Sequence, residues 1–213
     1  MKLQTLVVGP FEVNCYLYWD EVTRDGLIID PGFDENRIIK AVVAAGMAPK
    51  AILLTHGHVD HIAAVEPVKM RFNIPLYVGK GDEFLLRQPS ANISALLGTP
   101  IVAPEPDAIV TDTQNLRIGS LCLRVIATPG HTPGGVCYFD ETQNLLFCGD
   151  TLFEGSIGRT DLPGGSLPQL LDSIRSRIMT LPDGVTCYPG HGPATTVGQE
   201  RMSNPYLGDD FSE

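Results

Sequence analysis

The chain is short of positive charge, of paired cysteines, of long apolar runs and of histidine. Fifteen Lys and Arg face 25 Asp and Glu, for a formal charge of −10 and a pI near 4.8. Affinity won by neutralising phosphates is therefore disfavoured, and no nucleic-acid partner is expected. No stretch approaches the ~18 apolar residues of a membrane span, and the opening residues Met1, Lys2, Leu3 and Gln4 do not begin a signal peptide. The expectation is a soluble, cytoplasmic protein with no membrane partner. Cys15, Cys122, Cys137, Cys148 and Cys187 are odd in number, lack CxxC spacing and sit in apolar stretches. They read as free, mostly buried thiols rather than a disulfide framework. What remains is a chain of 213 residues, 43% hydrophobic, able to bury one core and expected to form one domain over 1–213.

Short β-type runs at 3–8, 13–19 and 26–29, punctuated by Gly9-Pro10 and Asp30-Pro31-Gly32, predict an antiparallel opening sheet. Ile38, Ile39, Val42 and Val43 share one helical face over 34–45, and Gly46 and Pro49 end that pattern. A buried strand at 51–54 runs into Thr55-His56-Gly57-His58-Val59-Asp60-His61. Residues 62–72 then read as helix, 76–78 as strand, 81–97 as broken helix, and the proline-rich 100–106 as a surface excursion. The second half repeats the alternation, with strands near 115–118, 121–128, 135–139 and 145–148, a helix over 168–179 and a strand at 185–188. Strands followed by helix and strand in each half suit an α/β fold with two sheets inside and helices outside.

Of only five histidines, His56, His58 and His61 fall within six residues, with Asp60 among them. Core histidines do not cluster in this way. Imidazoles and carboxylates suit zinc or iron, and the spacing permits two metals. The other two, His131 in Pro129-Gly130-His131-Thr132-Pro133 and His191 in Pro189-Gly190-His191-Gly192-Pro193, each follow an apolar strand in a Pro/Gly turn. Such a turn can aim a rigid ligand inward. Asp150 also follows an apolar run, so its carboxylate would project from a strand end. Cys148, two residues earlier, could point away from it.

With these residues in this order, the sequence resembles the metallo-β-lactamase superfamily over nearly its whole length. That resemblance implies a four-layer αββα sandwich. It implies that His56, His58 and His131 hold one metal, Asp60, His61 and His191 a second, and that Asp150 bridges them, with Asp60 and Asp150 as the catalytic carboxylates. Two divalent ions, zinc first and iron or manganese as alternatives, would then supply a hydroxide nucleophile at neutral pH and polarise a carbonyl.

Within the superfamily, Asn14-Cys15-Tyr16-Leu17, Thr128-Pro129-Gly130-His131, Gly149-Asp150-Thr151-Leu152-Phe153 and Gly158-Arg159-Thr160-Asp161 are similar to the glyoxalase II (hydroxyacylglutathione hydrolase) branch, in its short single-domain form. The resemblance implies hydrolysis of a small-molecule thioester, S-lactoylglutathione or a related acylglutathione, by a monomer or homodimer. Arg159 stands where longer members carry a lysine that contacts glutathione. It could bind a substrate carboxylate, or pair with a nearby acid such as Asp161. The sequence departs from the longer members in having no tyrosine at 192–196 and no expected C-terminal helical domain. An iron-dependent persulfide dioxygenase, a branch that shares Gly-Arg-Thr-Asp but uses two His and one Asp, is the alternative. A nuclease is disfavoured by charge, and a non-catalytic scaffold by the full ligand set.

Overall fold

Alternation along strands buried on both faces sets the layers of the molecule. In the run from Val13 to Trp19, Cys15, Leu17 and Trp19 join one apolar cluster while Tyr16 and Tyr18 join another. The same division separates Ile28 from Leu27 and Ile29, and Ile52 from Ala51 and Leu53. Successive side chains leave opposite faces of a strand, so such a strand reads as a continuous apolar run.

The computed structural model describes residues 1–208. Its first sheet is built from β1 (Lys2–Val8), β2 (Val13–Trp19), β3 (Asp25–Ile29), β4 (Ala48–Leu53), β5 (Leu76–Gly79) and β6 (Ala108–Val110). These lie in sequence order, antiparallel from β1 to β3 and parallel from β3 to β6. The second half supplies β7 (Asn115–Ile118), β8 (Leu121–Ala127), β9 (Val136–Asp140), β10 (Leu145–Gly149), a small hairpin of β11 (Leu152–Phe153) and β12 (Ser156–Ile157), then β13 (Thr186–Pro189) and β14 (Thr195–Thr196). The second sheet has the order β14-β13-β10-β9-β8-β7.

Tyr16, Tyr18, Leu27, Ile29 and Leu53 from the first sheet meet Leu123, Val125, Tyr138 and Phe147 from the second in a central core. Outside the first sheet, α1 (Glu35–Ala44), α2 (Val59–Ile62) and α3 (Val65–Phe72) pack Ile38, Val42, Ile62, Val65 and Val68 onto its far face. Outside the second, α4 (Leu167–Ser173), a π-helical continuation at Ile174–Ile178, and α5 (Val197–Ser203) do the same with Leu170, Leu171, Ile178 and Val197. The result is the expected α/β fold, a four-layer αββα sandwich.

Three local expectations are corrected. Residues 81–97 are turns with one 3₁₀ segment, Ser94–Leu97, rather than broken helix. There the Asn92 side chain donates to the carbonyls of Leu85 and Ile101 and accepts from the Ser94 amide, which replaces a helical ladder. The helix expected at 62–72 starts at Val59, inside the histidine motif, and breaks where the Ala64 amide bonds to Pro31. Finally, β6, β11, β12, β14 and α5 were not foreseen, being mostly two- or three-residue strands too short to carry a period.

Phe147 is fully buried between the sheets, with its ring 5.2 Å from Tyr16, 5.5 Å from Tyr18 and 5.9 Å from Tyr188. Phe147→Ala is expected to cost about 3–5 kcal/mol of stability, read as a lower urea midpoint at unchanged slope.

Candidate metal centre

Four strand ends deliver the polar residues to one edge of the sandwich. β4 leads into His56 and His58, with His58 as N-cap of α2 and Asp60 and His61 inside it. β8 leads to the His131 turn, β10 ends just before Asp150, and β13 leads into His191. All seven expected ligand residues come together, in three groups whose donor atoms each lie within 4.8 Å of one another: His56, His58 and His131; His56, His61 and Asp150; Asp60, His61 and His191.

Hydrogen bonding assigns the ring nitrogens. His131 Nδ1 lies 2.7 Å from the Arg159 carbonyl, which only accepts, so Nδ1 carries the hydrogen and Nε2 is a lone pair. Thr55 Oγ1 donates to Asp30 at 2.7 Å and is 3.2 Å from His56 Nδ1, so it is left to accept from that ring. His56 Nε2 is then also a lone pair, and it faces His131 Nε2 at 3.3 Å. His58 Nδ1 also stands 2.9 Å from His131 Nε2, so either that ring donates there or a cation takes the place of its proton. Buried His61 Nε2 and Asp150 Oδ1 have no hydrogen-bond partner among the described residues and lie 3.4 Å apart, which fits a second ion.

Electrostatics divide the cluster. Burial, with the neighbouring imidazoles, pushes His56 well below its usual range and His58 down to about 3, so these rings are neutral. Burial opposes charge on His61 too, but the Asp60, Asp30 and Asp150 carboxylates raise it well above the ordinary value. Burial would raise Asp150, yet His61, His131 and His191 hold it below the carboxylate range. His191 is raised, its burial outweighed by the hydrogen bond to Asp60 at 3.2 Å and by Asp150.

Three supporting residues went unassigned at the level of sequence. Asp30, buried after β3, accepts from the Thr55 amide and hydroxyl and lies 3.0 Å from His61 Nδ1. Asp82, fully buried after β5, accepts from the Gly57 amide, the Thr132 hydroxyl and the Gly134 amide at 2.9, 2.8 and 2.6 Å. It ties the His56–His58 loop to the His131 loop, and burial pushes its carboxyl up to about 6. Asn14 donates to the carbonyls of Pro189 and Gly192 at 3.0 and 2.9 Å and holds the His191 turn. The available signal for Asp30 and Asp82 was a polar residue at the end of an apolar strand, the context that marked Asp150. Gly190 is required sterically, since a Cβ there would stand 2.1 Å from Asp150 Oδ1.

A pocket of about 410 Å³ opens over the cluster and reaches Arg159. The Arg159 side chain is 62% exposed and forks onto Asp161, with Nε and Nη2 2.7 and 2.8 Å from its two oxygens. The expected ion pair between Arg159 and Asp161 is formed. Cys148 turns its thiol to the Leu152 carbonyl, inside the helix-side core and away from the ligands.

A sandwich of this layering with a His/Asp cluster at its strand ends defines a metal-binding hydrolase class. Residues 8–191 match the Metallo-beta-lactamase superfamily, and the chain belongs to it. It is 39% identical to the Probable metallo-hydrolase YqgX of Bacillus subtilis, covering 97% of this chain and 98% of that one. It is 33% identical to the Hydroxyacylglutathione hydrolase GloC of Haemophilus influenzae, covering 97% and 98%. Among solved structures, BLEG-1 B3 metallo-beta-lactamase superposes with a TM-score of 0.94 at 40% identity, covering 97% of this chain and 99% of that one. TTHA1623 in a di-iron-bound form gives 0.87 at 35%, covering 96% and 100%. ETHE1 from Myxococcus xanthus gives 0.79 at 28%, covering 97% and 84%. Among the described residues, no helix is long and apolar enough to cross a membrane.

Two outcomes are expected. Asp30→Ala removes the carboxylate 3.0 Å behind His61 Nδ1 and should weaken metal binding at the His61 group by roughly 10–100-fold, measured by metal titration. Protons compete harder at His61 and His191, whose affinity for them is raised, than at His56 and His58, where it is lowered. Dialysis from neutral toward acid pH should therefore release metal from the Asp60–His61–His191 group before the His56–His58–His131 group, as followed by metal analysis of the dialysed protein.

Proposed function

We propose that the chain is a binuclear metal-dependent thioester hydrolase that cleaves S-lactoylglutathione or a related acylglutathione. The observation that carries this is the convergence of all seven ligand residues into two facing triads with Asp150 between them. His56, His58 and His131 would hold one divalent ion, Asp60, His61 and His191 the other, and Asp150 would touch both. Zinc suits the nitrogen-rich first triad, while iron and manganese suit the carboxylates of the second. When bound, such ions supply Lewis acidity that lowers the pKa of water and polarises an acyl carbonyl.

The protein's own groups perform the rest. Asp60 lines the pocket and is the carboxylate able to take a proton from an attacking water. Asp150, kept ionised, holds the two histidine sets in register. The leaving thiolate departs without an acid, and among the described residues the pocket lining holds no carboxylate beyond the ligand residues.

A second reading, raised by likeness to a B3 metallo-beta-lactamase, is hydrolysis of a β-lactam amide, whose nitrogen would leave with the proton that Asp60 returns. The persulfide dioxygenase alternative uses one iron on two histidines and one aspartate, and since that branch can retain Asp60, His61 and His191 without using them, metal count and oxygen uptake separate the two readings. The similarity to a hydroxyacylglutathione hydrolase supports the thioester reading.

The test is thiol release from acylglutathione and acyl-CoA thioesters by protein of measured metal content, with a β-lactam and glutathione persulfide as further arms. Turnover of a thioester at two metals per chain is expected. No turnover of any thioester by a fully metallated sample overturns the assignment, and oxygen uptake on the persulfide at one iron per chain replaces it. Asp150→Ala should lose both metals and at least about a thousandfold in turnover, and wild-type turnover in that variant would refute the bridging role.

A further inference from the structure

The walls of the pocket carry information that its floor does not. Beyond the ligand residues, its lining includes Phe11, Ile93, Phe153 and Leu162, with Ser156 and Arg159 as polar members. These are unevenly placed. The Phe153 ring lies 6.3 Å from the His191 ring, and Phe11 precedes Val13, which pairs with His191, so both phenylalanines stand on the Asp60–His61–His191 side. The Arg159 carbonyl holds His131, so the polar end stands on the other side.

Charge on the walls is confined to the Arg159 end. Arg159 is the one Lys or Arg among the described lining residues, and Nε and Nη2 of its guanidinium are held by Asp161. That bidentate pair satisfies one edge of the guanidinium fork. At the other end, Phe11 is 39% exposed on a tight turn. An aromatic ring left open to water at the wall of a pocket is apolar area that a ligand can cover.

We propose that this pocket selects a thioester whose acyl group is apolar and uncharged, seated against Phe11 and Phe153, with the thiol portion directed to the Arg159 end. The assignment of ends follows from chemistry, because carrier thiols bear amides and charges that suit Arg159 better than two phenyl rings. The inference rests on the thioester reading above and narrows its acyl half. In every case water forms the new C–O bond and the C–S bond breaks, giving a carboxylate, a proton and the free thiol.

The experiment uses one neutral carrier, N-acetylcysteamine, bearing acetyl, propanoyl, D-lactoyl or hexanoyl, with the metal-loaded full chain. A fully buried methylene is worth roughly fourfold, so kcat/KM should rise at least about tenfold from acetyl to hexanoyl, and lactoyl should do no better than propanoyl. Phe153→Asn should shrink the hexanoyl-to-acetyl ratio to about threefold or less, with metal content and thermal unfolding checked on the same sample. Should that variant fail to fold, Phe11→Asn on the exposed turn carries the same expectation. A flat series, or a preference for lactoyl, overturns this inference while leaving thioester hydrolysis standing. Absence of turnover on all four overturns this inference, while the acylglutathione and acyl-CoA arms above decide the thioester reading by themselves.

Discussion

A set of lone pairs and carboxylates turned toward one another in a buried space is the constraint on which the rest of the molecule depends. His56 and His131 face each other through unprotonated nitrogens at 3.3 Å, and His61 faces Asp150 at 3.4 Å with no hydrogen bond between them. Buried polar groups are tolerable only when something satisfies them, and His61 Nε2 and Asp150 Oδ1 have no hydrogen-bond partner among the described residues. The fold therefore has to hold a geometry that makes sense around cations. It does so by presenting each donor from a strand end, where rigid backbone meets a turn that can aim a side chain.

Rigidity at that edge comes from buried polar staples that join segments distant in sequence. Asp82 links the His56–His58 loop to the His131 loop across three accepted hydrogen bonds. Asn14 joins the first strand hairpin to the His191 turn. Asp30 reaches from the end of β3 to Thr55 and His61. Each would be a liability alone in an apolar core; each is satisfied, and so each specifies a single arrangement of two loops. The ligand cluster is thus positioned from both halves of the sandwich, and neither half holds a complete triad pair.

How much of this was legible follows from where periodicity and rarity coincide. The doubly buried strands announced themselves as apolar runs, and scarcity of histidine made five of them at strand ends a strong statement about metal. Asp30 and Asp82 were not singled out, because fifteen aspartates dilute the signal that five histidines concentrate. Only the close approach of their oxygens to Thr55, Gly57, Thr132 and Gly134 separates them from surface carboxylates. The segment 81–97 misled for a related reason: its spacing suits a helix, but the Asn92 side chain competes for the backbone and wins.

The same physics explains why chemistry was easier to read than ligand choice. Metal-binding donors sit on long strands whose pattern is strong, whereas the pocket walls come from the 9–12 turn, the 81–102 excursion and the two-residue strands β11 and β12. These stretches are too short or too irregular to carry a period, so nothing in their order announces that Phe11, Ile93 and Phe153 share one cavity. Their placement depends on tertiary bonds instead: the Asn92 carbonyl accepts from Val59 at the start of α2, while Glu200 and Asn204 of the C-terminal segment hold the β11–β12 hairpin through Gly155 and Ser156. Glu200 is fully buried, and its carboxylate is met by Gly155, Thr195 and Asn204. One wall of the pocket is therefore anchored by a helix some fifty residues away along the chain, so change in that helix is a route by which ligand choice can shift while the metal centre stays as it is.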